Sequence, residues 1–158
     1  FNLEHLEVKL NNIMRYRKDL RNYIQREVSI SPSEIKITSP DQEFLNRVIE
    51  LLEMNIMDAE FNAESLTAAL AMSRSAVYNK FKEFTGLSTG EFIRRFRLKR
   101  AKQLLESTDL TVKEILYMSG FNTASYFTKC FKKVYGELPK EYQAARRKTI
   151  KPANESLL

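Results

Sequence analysis

Met72-Ser73-Arg74-Ser75-Ala76-Val77-Tyr78-Asn79-Lys80-Phe81-Lys82-Glu83-Phe84-Thr85-Gly86 decides the fold, because its skeleton returns fifty residues later. Phe121 stands where Met72 did, Ser125 answers Ser75, and Phe127 answers Val77. Phe131-Lys132 then answers Phe81-Lys82, and Gly136 answers Gly86. Upstream, Leu66 pairs with Ile115; downstream, Glu91-Phe92 pairs with Glu141-Tyr142. The offset is 49 before the turn and 50 after it, so one extra residue enters the second turn. Val77, Phe81 and Phe84 recur at helical spacing and share one face, as expected of a helix with one buried side.

Each copy therefore reads as a short helix, a tight turn and a second helix, over about 62–86 and about 111–136. That is the helix-turn-helix plan, in which the first helix crosses the DNA backbone and the second enters the major groove. Duplicated helical hairpins also build scaffold repeats, but those usually stack three or more copies. Here there are two, joined by a segment rich in arginine and lysine.

Working outward, the expected fold class is all-α: a seven-helix domain over 39–148, preceded by a long N-terminal helix. Only 4 Gly and 4 Pro interrupt 158 residues, and the apolar residues fall mostly at helical spacing. The first helix is expected to start at Ser39-Pro40 and to bury Phe44, Leu45, Val48, Leu51 and Leu52. Leu66 and Leu70 are the expected core of the second. Ser88-Thr89-Gly90-Glu91 and Thr111-Val112-Lys113-Glu114 read as capping boxes opening the fourth and fifth. A sixth ends at Gly136, and a seventh starts at Pro139 and is expected to fray from about 146 into a flexible tail, 149–158. Residues 1–38 read as a signalling helix and linker. Leu3, Leu6, Leu10, Ile13, Leu20 and Ile24 form a stripe over 3–28, broken at Arg17, that suits either a homodimeric coiled coil or packing on a preceding domain.

Composition excludes more than it assigns. One histidine, His5, and one cysteine, Cys130, leave no zinc set and no nucleophile–base pair, so no catalytic residue and no metal site are expected. No glycine-rich phosphate loop is present, and no cofactor or small-molecule ligand is expected in this fragment. No apolar run approaches the ~20 residues that cross a bilayer, and an unpaired cysteine suits a reducing cytoplasm. The chain opens on Phe1 and is expected to be a piece of something longer. Its charge is divided: residues 1–60 carry 8 Lys/Arg against 11 Asp/Glu, whereas 61–150 carry 17 against 8. The second half is the candidate for a polyanionic partner.

Phe61 to Tyr142 closely resembles the AraC-type family of bacterial transcription regulators. The resemblance rests on Met72-Ser73-Arg74-Ser75, Phe81-Lys82, Thr85-Gly86-Leu87-Ser88, Glu91-Phe92-Ile93, Arg97-Leu98, Ala101 and Leu104-Leu105. It continues through Gly120-Phe121, Tyr126-Phe127, Phe131-Lys132-Lys133 and Tyr135-Gly136. Thr67 and Leu116 depart from a small alanine, and Thr89 from a proline; Leu116 is the departure expected to loosen packing. Phe1-Asn2-Leu3 and the linker Glu34 to Ser39 are similar to the end of a receiver domain and the linker of hybrid two-component regulators. That resemblance implies upstream receiver and histidine kinase domains in the full-length protein, and an anchor in the inner membrane for some such proteins.

The family's base-reading positions fall on Ser75, Tyr78 and Asn79, and Arg74 shares their outward face. Asparagine can pair bidentately with adenine. The matching positions in the second unit are Ala124, Ser125, Tyr126, Thr128 and Lys129, with Tyr126 open to a partly core role. Arg94, Arg95, Arg97, Lys99, Arg100 and Lys102 ring a helix without an acid from Phe92 to Leu105. Arg94 and Arg95 are expected on phosphates, and other cations of the helix on acids elsewhere in the domain. Lys82, Lys132 and Lys133, and the N–H groups at Asn62 and Thr111, are further phosphate candidates. The function expected is sequence-specific recognition of double-stranded DNA. The alternatives are a helical signalling adaptor and, through Cys130, a DNA-repair alkyl acceptor.

Overall fold

The computed structural model describes residues 39–155, and the expected helix over 3–28, with His5, lies outside them. Seven helices follow one another: α1 (Ser39–Met54), α2 (Ala63–Ala69), α3 (Arg74–Thr85), α4 (Thr89–Ser107), α5 (Val112–Met118), α6 (Ala124–Tyr135) and α7 (Pro139–Glu155). Local chemistry sets their ends. Asn62 and Ser65 form a reciprocal capping box at α2, and Thr111 and Glu114 form one at α5. Gly86 and Gly136 close α3 and α6 in the left-handed conformation, each N–H donating to the carbonyl of Lys82 or Lys132.

Two cores form, and they meet along α4. Phe44, Leu45, Val48, Ile49, Leu51 and Leu52 of α1 pack with Leu66, Val77, Phe81 and Phe84, and with Phe92, Ile93 and Phe96 of α4. The second core takes Leu98, Ala101, Leu104 and Leu105 from the rest of α4, with Ile115, Leu116, Phe121, Phe127, Phe131 and Tyr142. So α4 is the last helix of the first unit and the first helix of the second. Its 19 residues span about 28 Å at 1.5 Å per residue.

The sequence repeat is also a packing repeat. Phe81 lies 4.8 Å from Phe92, centroid to centroid, and the equivalent Phe131 lies 5.6 Å from the equivalent Tyr142. Phe81 and Phe131 are fully buried, each worth about 1.5–3 kcal/mol in area removed from water.

Three expectations need correction. Leu70 is only partly buried, at the edge of the first core. Leu116 does not sit loosely, being 2% exposed within the second. The last helix, expected to fray from about 146, is continuous to Glu155, helped by the strong helix formers Ala144 to Lys148 and by Arg147, which reaches the Asp109 carbonyl at 3.3 Å.

Candidate nucleic-acid interface

In α3 the side chains divide cleanly. Val77, Phe81 and Phe84 are buried, while Arg74, Ser75, Tyr78 and Asn79 are exposed on the opposite side. Ser73 caps the helix by accepting from Ala76 N at 3.2 Å, which holds this end of α3 open to solvent. Arg74 pairs with Glu64 of α2 at 2.5 Å, but both side chains are well exposed, so the pair costs little to break when a phosphate or base competes. Lys82 turns back, donating to the Gly86 carbonyl at 3.3 Å with its ammonium 5.8 Å from the Tyr78 ring. Lys80 is not part of this face. It pairs with Asp41 of α1 at 3.2 Å and lies over Phe44 and Phe84, fastening α3 to α1.

In α6, Ala124, Ser125 and Lys129 are exposed and Thr128 is half-buried, while Phe127, Cys130 and Phe131 face inward. Tyr126 divides between the two roles. The residue is 48% exposed, but its ring lies 6.1 Å from that of Phe121. Burial, then the neighbouring Cys130 thiol, raises the phenol above its ordinary pKa. Cys130 itself is buried. Lys132 and Lys133 are exposed in the last turn of α6.

The basic helix α4 is not bare. Glu91, in its first turn, holds Arg94 at 3.0 Å and Arg95 at 3.3 Å. Glu91 thus engages both from their own helix, three and four residues before them. Glu91 turns its carboxylate to these arginines, while its backbone N–H is capped by Ser88 at 3.3 Å. Arg97 instead binds main chain: its guanidinium donates to the carbonyls of Asp58 and Phe61, both at 2.8 Å. Partial burial lowers its pKa from the ordinary arginine value, with Asp58 opposing the shift.

The N–H groups at Asn62 and Thr111 are not free for phosphate. Asn62 N donates to Ser65 Oγ at 3.3 Å, and Thr111 N donates to Glu114 Oε2 at 2.8 Å. The bond from the Thr111 N–H also holds the Glu114 carboxyl below its usual pKa, so an anion would meet a carboxylate there. The structure thus brings Arg74, Ser75, Tyr78 and Asn79 together on one helix and Ala124, Ser125, Thr128 and Lys129 on its repeat. Arg94 and Arg95 remain half-exposed beside Glu91.

Residues 66–145 match the helix-turn-helix domain family, just over half of the chain. The chain is 36% identical over 143 residues to histidine kinase P4 of Formosa agariphila, covering 90% of this chain and 10% of that protein. It therefore spans about a tenth of the length of that relative. The C-terminal domain of the two-component response regulator yesN from Fusobacterium nucleatum superposes with a TM-score of 0.59 at 29% identity, over 64% of this chain and 98% of that one. The DNA-binding domain of AdpA, a global transcriptional factor solved in complex with a target DNA, superposes with a TM-score of 0.62 at 27% identity, over 67% and 95%. The chain belongs to the AraC-type family of helix-turn-helix DNA-binding transcription regulators.

Proposed function

We propose that this chain is the DNA-reading output module of a two-component signalling protein, and that α3 and α6 enter two successive major grooves. The observation that carries the reading is the paired outward faces, Arg74-Ser75-Tyr78-Asn79 and Ala124-Ser125-Lys129 with half-buried Thr128, at matching places in a structural repeat. Base edges in the major groove present a distinct pattern for each pair, and a helix fits there. Successive grooves on one side of the duplex lie roughly 34 Å apart, close to the ~28 Å length of α4. Lys82, Lys132 and Lys133 would hold phosphates beside the reading residues, with Arg94 and Arg95 when Glu91 releases them. Tyr126 is a minor reader, since its ring already leans on Phe121.

Association with a histidine kinase is supported by the Formosa agariphila match, which extends across nearly the whole chain, and an output role in a response regulator by the likeness to the C-terminal domain of yesN. In that setting the module works on the cytoplasmic side, and the apolar stripe of residues 3–28 pairs two chains when the receiver is phosphorylated. Selection of bound sequences from random duplex DNA, at two salt concentrations, tests the reading. A bipartite motif should emerge at both; enrichment without a motif would leave only non-specific charge attraction.

A further inference from the structure

We propose that Arg97 and Gly120 form a joint between the two units that sets the rotation of one reading helix relative to the other, and with it the spacing of half-sites the domain accepts. The inference rests on the two-groove reading above. Phe96 is the last residue of α4 in the first core and Leu98 begins its contribution to the second, so Arg97 lies on the seam. A long helix fixes distance well but can curve along its length, so a lateral tie at the seam helps fix how the units are turned relative to each other. Arg97 supplies it. From α4 it clasps the Asp58 and Phe61 carbonyls, in the loop that leads into the first unit.

The second unit reaches the same point with Gly120, in the turn between α5 and α6. A Cβ there would lie 2.3 Å from the Ile56 carbonyl oxygen and 2.8 Å from Arg97 Nε. The backbone conformation alone does not demand glycine. Ala71, at the matching place in the first turn, holds φ 53 with a side chain present, against φ 81 at Gly120. What differs is the neighbour: the second turn is pressed against the loop of the first unit and against the guanidinium that ties it. Arg97 is thus a positioning residue, acting on DNA through the helices it orients.

The test uses the 158-residue chain and duplexes carrying its selected site, with base pairs inserted one at a time between the half-sites. Wild type should lose roughly tenfold or more in affinity at the first insertion, whereas Arg97→Met should lose less than about threefold while keeping its base preference within each half. Gly120→Ala, acting from the other side of the joint, should also flatten the spacing dependence or move its optimum. Equal weakening at every spacing, with the wild-type ratio retained, would overturn the proposal. Spin labels at Ser75→Cys and Ser125→Cys, in a Cys130→Ala background without DNA, give an independent measure. A single narrow distance is expected with the joint intact, and a broad distribution there contradicts the proposal even if the Arg97 and Gly120 variants fail to fold. Should the unsubstituted chain show no spacing-dependent binding, the DNA reading fails, and the label distance still judges the joint.

Discussion

Ala71 and Gly120 hold the same left-handed place in the two turns, but Ala71 is exposed whereas Gly120 is buried, with the Ile56 carbonyl oxygen 2.3 Å from where its Cβ would be. Gly136 also has positive φ but has open space around it. Gly136→Ala should therefore cost only the conformational penalty, about 1–2 kcal/mol. Gly120→Ala adds a steric clash and should cost about 2–5 kcal/mol. Ala71→Gly should stay within about 1 kcal/mol of zero, because relieved strain is offset by chain entropy. Urea unfolding of the three variants checks the ranking; equal costs at Gly120 and Gly136 would remove the contact from the explanation.

Tyr142 gives the stability a signature at high pH. Its hydroxyl bonds to Glu106, and burial together with that bond pushes its pKa up from 10.0 to about 12. The folded state holds this proton more tightly than the unfolded chain does. Its contribution is whole below pH ~10 and is lost as pH rises from ~10 to ~12. Tyr142→Phe should lose less stability than wild type across that window, read as the difference between their thermal midpoints at each pH. Parallel curves for the two proteins would mean that Tyr142 titrates as an ordinary phenol.

Glu91 holds two arginines near the start of the basic helix. Glu91→Gln leaves the Ser88 cap on the backbone N–H but removes the negative charge that holds Arg94 and Arg95. Binding to non-specific duplex should strengthen, and the slope of log K against log salt should steepen by ~0.9 for each further phosphate contact that the lost charge allows. An unchanged slope would mean that these two arginines do not approach the backbone.

Lys132→Ala with Lys133→Ala should act differently. The pair is exposed at the end of α6, beyond the reading residues, and should weaken binding to every sequence by a similar factor. The salt dependence should become shallower by ~0.9 per contact removed. Loss confined to one base at one position would reassign these lysines to base reading.

Much of this was legible in the sequence because packing repeats leave a periodic trace. Phe81 and Phe131 announce the two cores, Gly86 and Gly136 the ends of the reading helices, and Thr111 with Glu114 a cap that forms as written. The outward faces of α3 and α6 follow from the inward ones. What could not be read were contacts whose partner is main chain. Arg97 binds two carbonyls, and a carbonyl has no letter in the sequence. The need for glycine at 120 could not be read either, since the Ile56 backbone that excludes a side chain there is 64 positions away. Glu91 was read as a cap through its spacing from Ser88, but arginines three and four residues on compete better for its carboxylate. The phosphate role given to the Asn62 and Thr111 N–H groups overlooked that a capping box consumes the donor at its own first residue.

The central claim is that each reading helix addresses its own half of one site. The most direct measurement titrates wild type, Asn79→Ala and Lys129→Ala against the selected site, and against versions with either half scrambled. Asn79→Ala should become nearly indifferent to scrambling of one half, giving up about 1–3 kcal/mol of discrimination there, and remain as sensitive as wild type to the other. Lys129→Ala should show the reverse assignment. If both variants lost sensitivity to the same half, or if neither half mattered to wild type, α3 and α6 would not be reading separate grooves.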